Sequence, residues 1–156
     1  MIARFLFLGS GASMGVPIIG CRCNVCLSKD SKQKRLRSSG LLKVGEKNIL
    51  IDVGPDFREQ ALTHKIDAID AVFLTHAHYD HMGGIEDLRI FYYRQKKPIV
   101  CYLSPSTYRE LEKKDHVTQF LDIRLLEEDF GAFSVEDISL SYFSFYQKKT
   151  LVTGFR

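Results

Sequence analysis

The chain has 156 residues, of which 45% are hydrophobic and 26% charged, the composition of an ordinary globular protein with enough chain for one domain and its own core. Its formal net charge of +3 argues for no particular partner. No apolar run approaches the roughly 18–20 residues that a membrane span requires, which excludes the membrane-spanning class.

The first 21 residues resemble a lipoprotein signal that ends at a cysteine, with "VPIIGC" in the place of the cleavage site. Arg4 is the only basic residue before that cysteine, and the apolar run "FLFL" is too short for the hydrophobic region of a signal. We therefore expect a cytoplasmic location and no membrane partner. In that reducing compartment, clustered cysteines are more often metal ligands than disulfides.

In chain order, the first predicted element is a buried strand over residues 3–9, and an irregular loop rich in glycine follows it. Residues 29–37 carry five basic side chains and one acidic one, which is typical of a solvated segment or of a rim that attracts phosphate. The remaining pattern predicts a hairpin over 38–54, helices over 55–64, 84–95 and 104–114, strands over 70–75 and 97–104, and mainly strands over 120–146. Strands that alternate with helices predict an α/β fold.

Three of the five histidines lie in "THAHYDHMGG", where a predicted strand ends and two glycines lead into a helix. Loops at the carboxyl ends of strands commonly carry functional residues. Because His76 and His78 are two residues apart, an extended backbone directs both imidazoles to one side, so that both can bind one metal. Asp80 and His81 lie beyond the bend and can turn toward a second metal. Imidazole and carboxylate ligands suit zinc, manganese or iron.

These motifs resemble the metallo-β-lactamase superfamily, in which an H-x-H-x-D-H block follows a hydrophobic strand and a D-x-G motif ends the strand before it. The matching stretches in this chain are "THAHYDH" and "LIDVG". Within the superfamily, "GSGASMGVPIIGCRCNVC", "SSGLL" and "GGIEDLR" are similar to the PhnP-like phosphodiesterases. The resemblance extends over most of residues 4–112 and implies a metal-dependent hydrolase with an αββα sandwich fold.

The resemblance implies an active centre with two divalent metals, either zinc or manganese. His76 and His78 would bind the first metal, and Asp80 with His81 would bind the second. A hydroxide that bridges the two metals would then attack the phosphorus of a cyclic phosphate or of another small phosphate ester.

Two carboxylates and a small-residue loop complete the site that the resemblance implies. Asp80 is a metal ligand and a candidate catalytic residue. Asp52, which matches the aspartate of the D-x-G motif, would act from behind the ligands by orienting an imidazole, or else cap a turn before Gly54. Ser10 and Gly11 belong to the loop that would let the phosphate of the substrate approach the backbone.

Cys21, Cys23 and Cys26 lie within six residues, one too many for a disulfide and one too few for a tetrahedral metal site. In the PhnP-like enzymes such a loop holds a structural zinc together with a histidine from far down the chain, and we expect the same zinc here. Free thiols and redox chemistry remain as alternatives. His64 and His116 are the histidines left over, and each is expected to be a surface or helix-cap residue rather than the fourth ligand.

Other parts of the superfamily pattern are absent from this sequence. No histidine follows His116, and in the segment that precedes the final "GFR", Gln147 stands where the resemblance places a third metal-binding histidine. We expect residues 1–156 to form a single, incomplete domain that supplies the first half of the sandwich and a little more. An apolar sheet face would then be covered by the missing C-terminal half or by a second copy in a swapped dimer.

Three functions follow from these motifs, two of them enzymatic and one not. The first is a dinuclear phosphodiesterase that acts on a small phosphate ester. The second is an RNA-processing nuclease of the tRNase Z type, which is not favoured because the chain has no inserted arm for RNA. The third is a degenerate domain that binds metal or a nucleotide without catalysis, as Gln147 would allow. The thioesterases and oxygen reductases of the superfamily share the histidine motif, which by itself does not separate them.

Overall fold

The computed structural model describes residues 2–114, 116–135 and 138–156, which form two β-sheets with helices on one side. The first sheet has six strands in the order of the chain: β1 (Ala3–Gly9), β2 (Ser39–Val44), β3 (Lys47–Ile51), β4 (Ala71–Phe73), β5 (Ile99–Leu103) and β6 (Leu121–Leu125). The second sheet contains β7 (Phe130–Val135), β8 (Ile138–Gln147) and β9 (Thr150–Phe155). The helices are α1 (Phe57–Thr63), α2 (Tyr79–Met82), α3 (Arg89–Gln95) and α4 (Pro105–Leu111), with short 3₁₀ turns at Ser31–Gln33, Ile85–Leu88 and Val117–Gln119.

The first sheet is antiparallel from β1 to β3 and parallel from β3 to β6. Parallel neighbours require crossover connections, which α1 supplies after β3, α2 and α3 supply after β4, and α4 supplies after β5. Because parallel strands run in the same direction, the loops after β3 and β4 emerge side by side at one edge of the sheet. The α/β class predicted from the sequence is therefore confirmed.

Two apolar clusters hold the layers together, and alternate residues of each strand contribute to one or the other. Leu50 and Val72 belong to the cluster that packs against the helices. Their neighbours Ile49 and Phe73 belong to the cluster that faces the second sheet. Phe73 stacks on Phe155 of β9 with 4.7 Å between the ring centroids. The second sheet is thus fixed over the middle of the first.

The second sheet leaves the β1 side of the first sheet open. Phe5 lies opposite Leu42 in the β1–β2 ladder, on the same sheet face as the cluster that the second sheet covers. Nevertheless 49% of Phe5 and 73% of Phe7 are exposed. An apolar area therefore remains in contact with solvent where β1 forms the edge of the sheet.

Several predicted elements match the observed ones, including β1 and α4, which begins at the expected Pro105 directly after the Ser104 cap. The strand predicted to reach Thr75 pairs only over Ala71–Phe73, because the Thr75 N–H donates to the Asp52 carboxylate instead of to a neighbouring strand. The helix predicted over 84–95 begins as a 3₁₀ turn, and α2 was not predicted. Among the described helices, none combines the length and the apolar character that crossing a membrane demands.

Candidate metal centre

Asp52 follows β3 directly and adopts a left-handed backbone conformation, with φ of 58°. This conformation is unfavourable for a residue other than glycine, although aspartate tolerates it better than most. It directs the buried carboxylate toward the end of β4, where the carboxylate accepts hydrogen bonds from the Thr75 N–H and hydroxyl, each at 2.8 Å. The same carboxylate pairs with Nδ1 of His81 at 2.7 Å. Asp52 therefore joins the two loops that carry the histidine motif.

Close backbone packing fixes α2 against the loop after β3. A Cβ atom on Gly54 would lie 2.2 Å from the carbonyl oxygen of Asp80, and a Cβ on Gly84 would lie 2.1 Å from that of Gly54. The Val53 N–H also donates to the His81 carbonyl at 2.8 Å. Only glycine permits these contacts, so the glycines that flank the motif set the position of Asp80 and His81 relative to Asp52.

Two imidazoles converge at the start of the motif. Nε2 of His76 lies 3.1 Å from Nδ1 of His78. Two nitrogen ligands of one tetrahedral zinc lie about 3.3 Å apart, given Zn–N distances of about 2.0–2.1 Å. The opposite ring nitrogens are engaged elsewhere: Nδ1 of His76 with the Thr75 hydroxyl at 2.9 Å, and Nε2 of His78 with the Thr150 hydroxyl at 3.3 Å. The inner nitrogens are therefore positioned to bind one metal.

The tautomer of His76 follows from its neighbours. An ionised Asp52 carboxylate can only accept hydrogen bonds, so the Thr75 hydroxyl uses its single proton there. The Thr75 oxygen must then accept the proton on Nδ1 of His76, which leaves a lone pair on Nε2. Burial and the charge of His81 lower the pKa of His76 to about 4. His76 is therefore neutral near pH 7, as a metal ligand must be.

Asp80 and His81 form the second pair of donors. Nε2 of His81 lies 3.3 Å from a carboxylate oxygen of Asp80, while its Nδ1 is held by Asp52. Burial lowers the pKa of His81, but the hydrogen bond to Asp52 and the charges of Asp52 and Asp80 outweigh it and hold the pKa above its ordinary value. A carboxylate behind a histidine is the arrangement that orients imidazole ligands in metal sites.

The four donors open into one cavity of about 560 Å³. It is lined by Ala12, Ser13, Ser38, Asp52, Thr75, His76, His78, Asp80, His81, Gln147 and Val152. Three imidazoles and two carboxylates are the donor types of divalent zinc and manganese sites, so the residues present fit such ions.

The cavity contains Gln147, at the position where the sequence resemblance predicted a third metal-binding histidine. Ala12 and Ser13 line the cavity directly after the predicted Ser10 and Gly11, neither of which is among its described lining residues. Gly11 is buried, and its N–H donates to the Leu36 carbonyl at 2.8 Å.

Sequence reasoning did not identify the two hydroxyls that hold the imidazoles. Thr75 immediately precedes His76, so its position beside the motif was a usable signal. Thr150 is 72 residues away from His78 in the chain and reaches it only because β9 packs beside the motif, where the Thr153 N–H donates to the Thr75 carbonyl at 2.9 Å. Nothing in the local sequence marks Thr150.

The three close cysteines lie on an exposed loop, and none of them lines this cavity. Their sulfur atoms all lie within 4.8 Å of one another, near the separation of about 3.8 Å that thiolates on one zinc show. A hydrogen bond from the Cys26 N–H, followed by one involving Cys21, lowers the pKa of Cys23 to about 7. The loop can therefore present a thiolate at neutral pH.

In the part of the chain that the structure describes, no histidine or carboxylate joins the three thiols. His64 caps the end of α1, and His116 pairs with Glu86, so neither serves as the fourth ligand. Cys101 lies in β5, where complete burial raises the pKa of its thiol to about 12. It is a core residue, as its place in a predicted strand suggested.

A sequence model of the family described as "Beta-lactamase superfamily domain" matches residues 47–148. The chain is similar to the solved structure of a diphosphatase from the PhnP family, with a TM-score of 0.91 and 34% identity, covering 99% of this chain and 61% of that one. It also resembles zinc-bound PqqB from Methylobacterium extorquens, with a TM-score of 0.77, 22% identity and coverage of 99% and 58%. Human tRNase Z, short form, gives a TM-score of 0.69 at 19% identity, with coverage of 99% and 62%. At these lower identities the likeness shows the fold alone.

Two curated relatives give different names. An octanoyltransferase from Porphyromonas gingivalis is 56% identical over 87 residues, which are 55% of this chain and 18% of the relative. Coenzyme PQQ synthesis protein B from Methylorubrum extorquens is 30% identical over 114 residues, which are 64% of this chain and 36% of the relative. The chain thus spans about a fifth to a third of the length of these relatives.

Proposed function

The chain belongs to the beta-lactamase superfamily, as the histidine motif predicted, and from this premise we propose that it is a metal-dependent hydrolase of small phosphodiesters or diphosphates. The observation that carries the proposal is the convergence of His76 and His78 beside the Asp80–His81 pair in one cavity. The similar PhnP-family diphosphatase supports phosphate compounds as the substrate class.

The residues of the cavity have distinct tasks in this proposal. His76 and His78 would hold one zinc or manganese ion, and Asp80 with His81 a second. When bound, such ions supply Lewis acidity and a water activated near neutral pH. Asp52 keeps the ring of His81 in one orientation, and Thr75 does the same for His76.

The test is metal content and phosphate-ester hydrolysis measured on the same preparations of the full chain, purified without chelator or histidine tag. We expect hydrolysis of bis-p-nitrophenyl phosphate or inorganic pyrophosphate that depends on added zinc or manganese and is lost in His78→Ala. His64→Ala is the matched control, because His64 caps α1 outside the cavity. Activity that survives in His78→Ala would overturn the proposal.

Gln147 favours one alternative, a domain that binds metal without catalysis. Its neutral amide is a weak ligand for zinc compared with imidazole, and it lines the cavity beside the histidines. Metal that binds at the centre, is lost in His78→Ala and supports no turnover of either compound would favour this alternative. RNA processing receives no support beyond the shared fold.

The proposal also includes a structural zinc, a cytoplasmic location and a partner that completes the domain. We infer a structural zinc in the cysteine loop, supported by the close sulfur atoms of Cys21, Cys23 and Cys26. All four cysteines are free, which suits a reducing, cytoplasmic location. Exposed Phe5 and Phe7 support a partner that completes the domain, either a further C-terminal segment or a second copy.

A further inference from the structure

An apolar groove of about 490 Å³ lies between α1 and α3 and is called the helix groove below. Its floor is formed by the buried side chains of Phe57, Ile66 and Phe91, which belong to the cluster between the first sheet and the helices. Among the described residues, none lines both this groove and the metal cavity. The helix groove is therefore a surface separate from the metal centre.

Both helices present exposed apolar side chains to the helix groove. Leu62 of α1 is 64% exposed, and Ile90 and Tyr93 of α3 are 53% and 54% exposed. Ile90 and Tyr93 are three residues apart and so lie on one face of α3. Large apolar and aromatic groups around one concave surface are typical of a site that another protein covers.

Charges of both signs surround this apolar centre. Arg58, Arg89 and Arg94 line the groove, are exposed, and form no ion pair within the described part of the chain. Glu86 and Asp87 line it from the 3₁₀ turn that precedes α3. Such a surface can complement a second copy of itself, because a twofold axis lets the basic groups of one copy meet the acidic groups of the other.

From these features we propose that the helix groove is the interface of a twofold dimer, in which α1 and α3 of one copy pack against the same helices of the other. A C-terminal segment that completes the domain does not suit the groove, since the open sheet face at Phe5 lies on the opposite side of the first sheet. A small apolar ligand would leave the charged side chains around the groove without partners. The inference does not rest on the proposed function.

Sedimentation velocity of the full chain in reducing buffer, over a dilution series, tests the dimer. We expect the wild type to show a monomer–dimer equilibrium. Ile90→Glu places an unpaired charge at the centre of the interface and should raise the dissociation constant roughly a hundredfold. Because Ile90 is exposed in the single copy, the variant should keep the wild-type circular dichroism spectrum.

Two control variants carry the same kind of change outside the helix groove. Ile19→Glu alters a side chain that is 95% exposed, and Phe7→Glu alters the open face at β1. Both should dimerise like the wild type. A dimer that Phe7→Glu dissociates and Ile90→Glu does not would place the second copy at β1 and overturn the inference.

Reversal of the charges gives a test that a folding defect cannot imitate. One variant combines Arg58→Glu, Arg89→Glu and Arg94→Glu, and the other combines Glu86→Lys and Asp87→Lys. Each alone should be monomeric, because like charges then face each other across the axis. An equimolar mixture should form a heterodimer, since the two altered surfaces are complementary. A monomeric wild type, even one that binds another molecule in the groove, or a mixture that forms no heterodimer would overturn the inference.

Discussion

The four donors of the histidine centre lie in the loop after β4 and are backed by Asp52 from the end of β3, whereas the cysteine loop takes its three donors from residues 21–26 without such a residue from another strand. In the histidine centre, Asp52, Thr75 and Thr150 engage the outer ring nitrogens through side-chain hydrogen bonds. The cysteine sulfurs have weaker support, namely contacts from the N–H groups of Ile18 and Cys26 at 3.4 and 3.5 Å.

The two sites differ in whether their donor side chains need a bound metal to keep their positions. The sheet, the glycine contacts and the buried Asp52 hold the donor side chains of the histidine centre in position. Their geometry therefore does not depend on a bound metal. The cysteine loop is exposed and contributes little to the core, so thiolate–metal bonds are its main source of order.

The first prediction is that Asp52→Ala lowers the free energy of unfolding of the metal-free chain by about 3–5 kcal/mol. The change leaves the Thr75 N–H and hydroxyl and Nδ1 of His81 without their acceptor in a buried site. It also places alanine at a backbone conformation that disfavours it. Urea denaturation with chelator present measures the effect.

Asp70→Ala is the control for that prediction. Asp70 bonds the Asn48 N–H at 3.0 Å and pairs with Lys47 at 3.3 Å at the opposite end of the same strands. Its loss should cost about 1 kcal/mol, because both groups remain partly accessible to water. Similar costs for the two aspartates would mean that the histidine centre is not organised in advance.

The second prediction is that Gln147→His tightens zinc binding at the histidine centre by about tenfold to a hundredfold. The substitution adds an imidazole to the cavity that already contains those of His76, His78 and His81. Competition with a chromogenic chelator, in a Cys23→Ser background that removes the thiolate site, measures this affinity. Gln147→Leu is the control; if it weakens binding as strongly as Gln147→His strengthens it, the amide is already a ligand.

The histidine centre was predictable from sequence to the extent that it is local. His76, His78, Asp80 and His81 lie within six residues, and period-two spacing on extended chain correctly indicated that the first two rings converge. The D-x-G motif located Asp52 beside them. The four donors are close together in the chain, and Asp52 lies near them because β3 and β4 end at the same edge of the sheet.

The unpredicted parts depend on tertiary packing. Thr150 reaches the site because β8 and β9 pack beside β4, and no local pattern encodes that placement. The short helix α2 was missed because a four-residue turn carries no apolar period. The second sheet was predicted only as a group of strands, since its register depends on contacts such as Phe73 with Phe155.

The third prediction is that Thr150→Val weakens metal binding at the histidine centre about tenfold, because Nε2 of His78 loses its hydrogen-bond partner and the ring can turn. Cobalt(II) titration followed by visible absorption reports both affinity and ligand geometry. Thr150→Ser should restore the wild-type value. Thr153→Val is the same change in the same strand and serves as the control. The buried Thr153 hydroxyl has no hydrogen-bond partner among the described residues, so this variant should leave the titration unchanged.

The last prediction concerns the cysteine loop, where the effect on global stability is expected to be the smallest. Removing its metal with a chelator should leave the urea midpoint unchanged, because the loop contributes no residue to either apolar cluster in the described part of the chain. Trypsin should nevertheless cut roughly tenfold faster at Arg22, which is exposed between Cys21 and Cys23, and at Lys29, which is exposed after Cys26.

Cleavage at Lys96, at the end of α3, is the internal reference and should not change. Cys23→Ser should reproduce the faster cleavage without chelator, whereas His78→Ala should not, because it affects only the other centre. A chelator that lowers the urea midpoint of the Cys23→Ser variant as much as that of the wild type would place the metal-dependent stability at the histidines. The contrast between a site organised by the fold and a site organised by its metal would then be reversed.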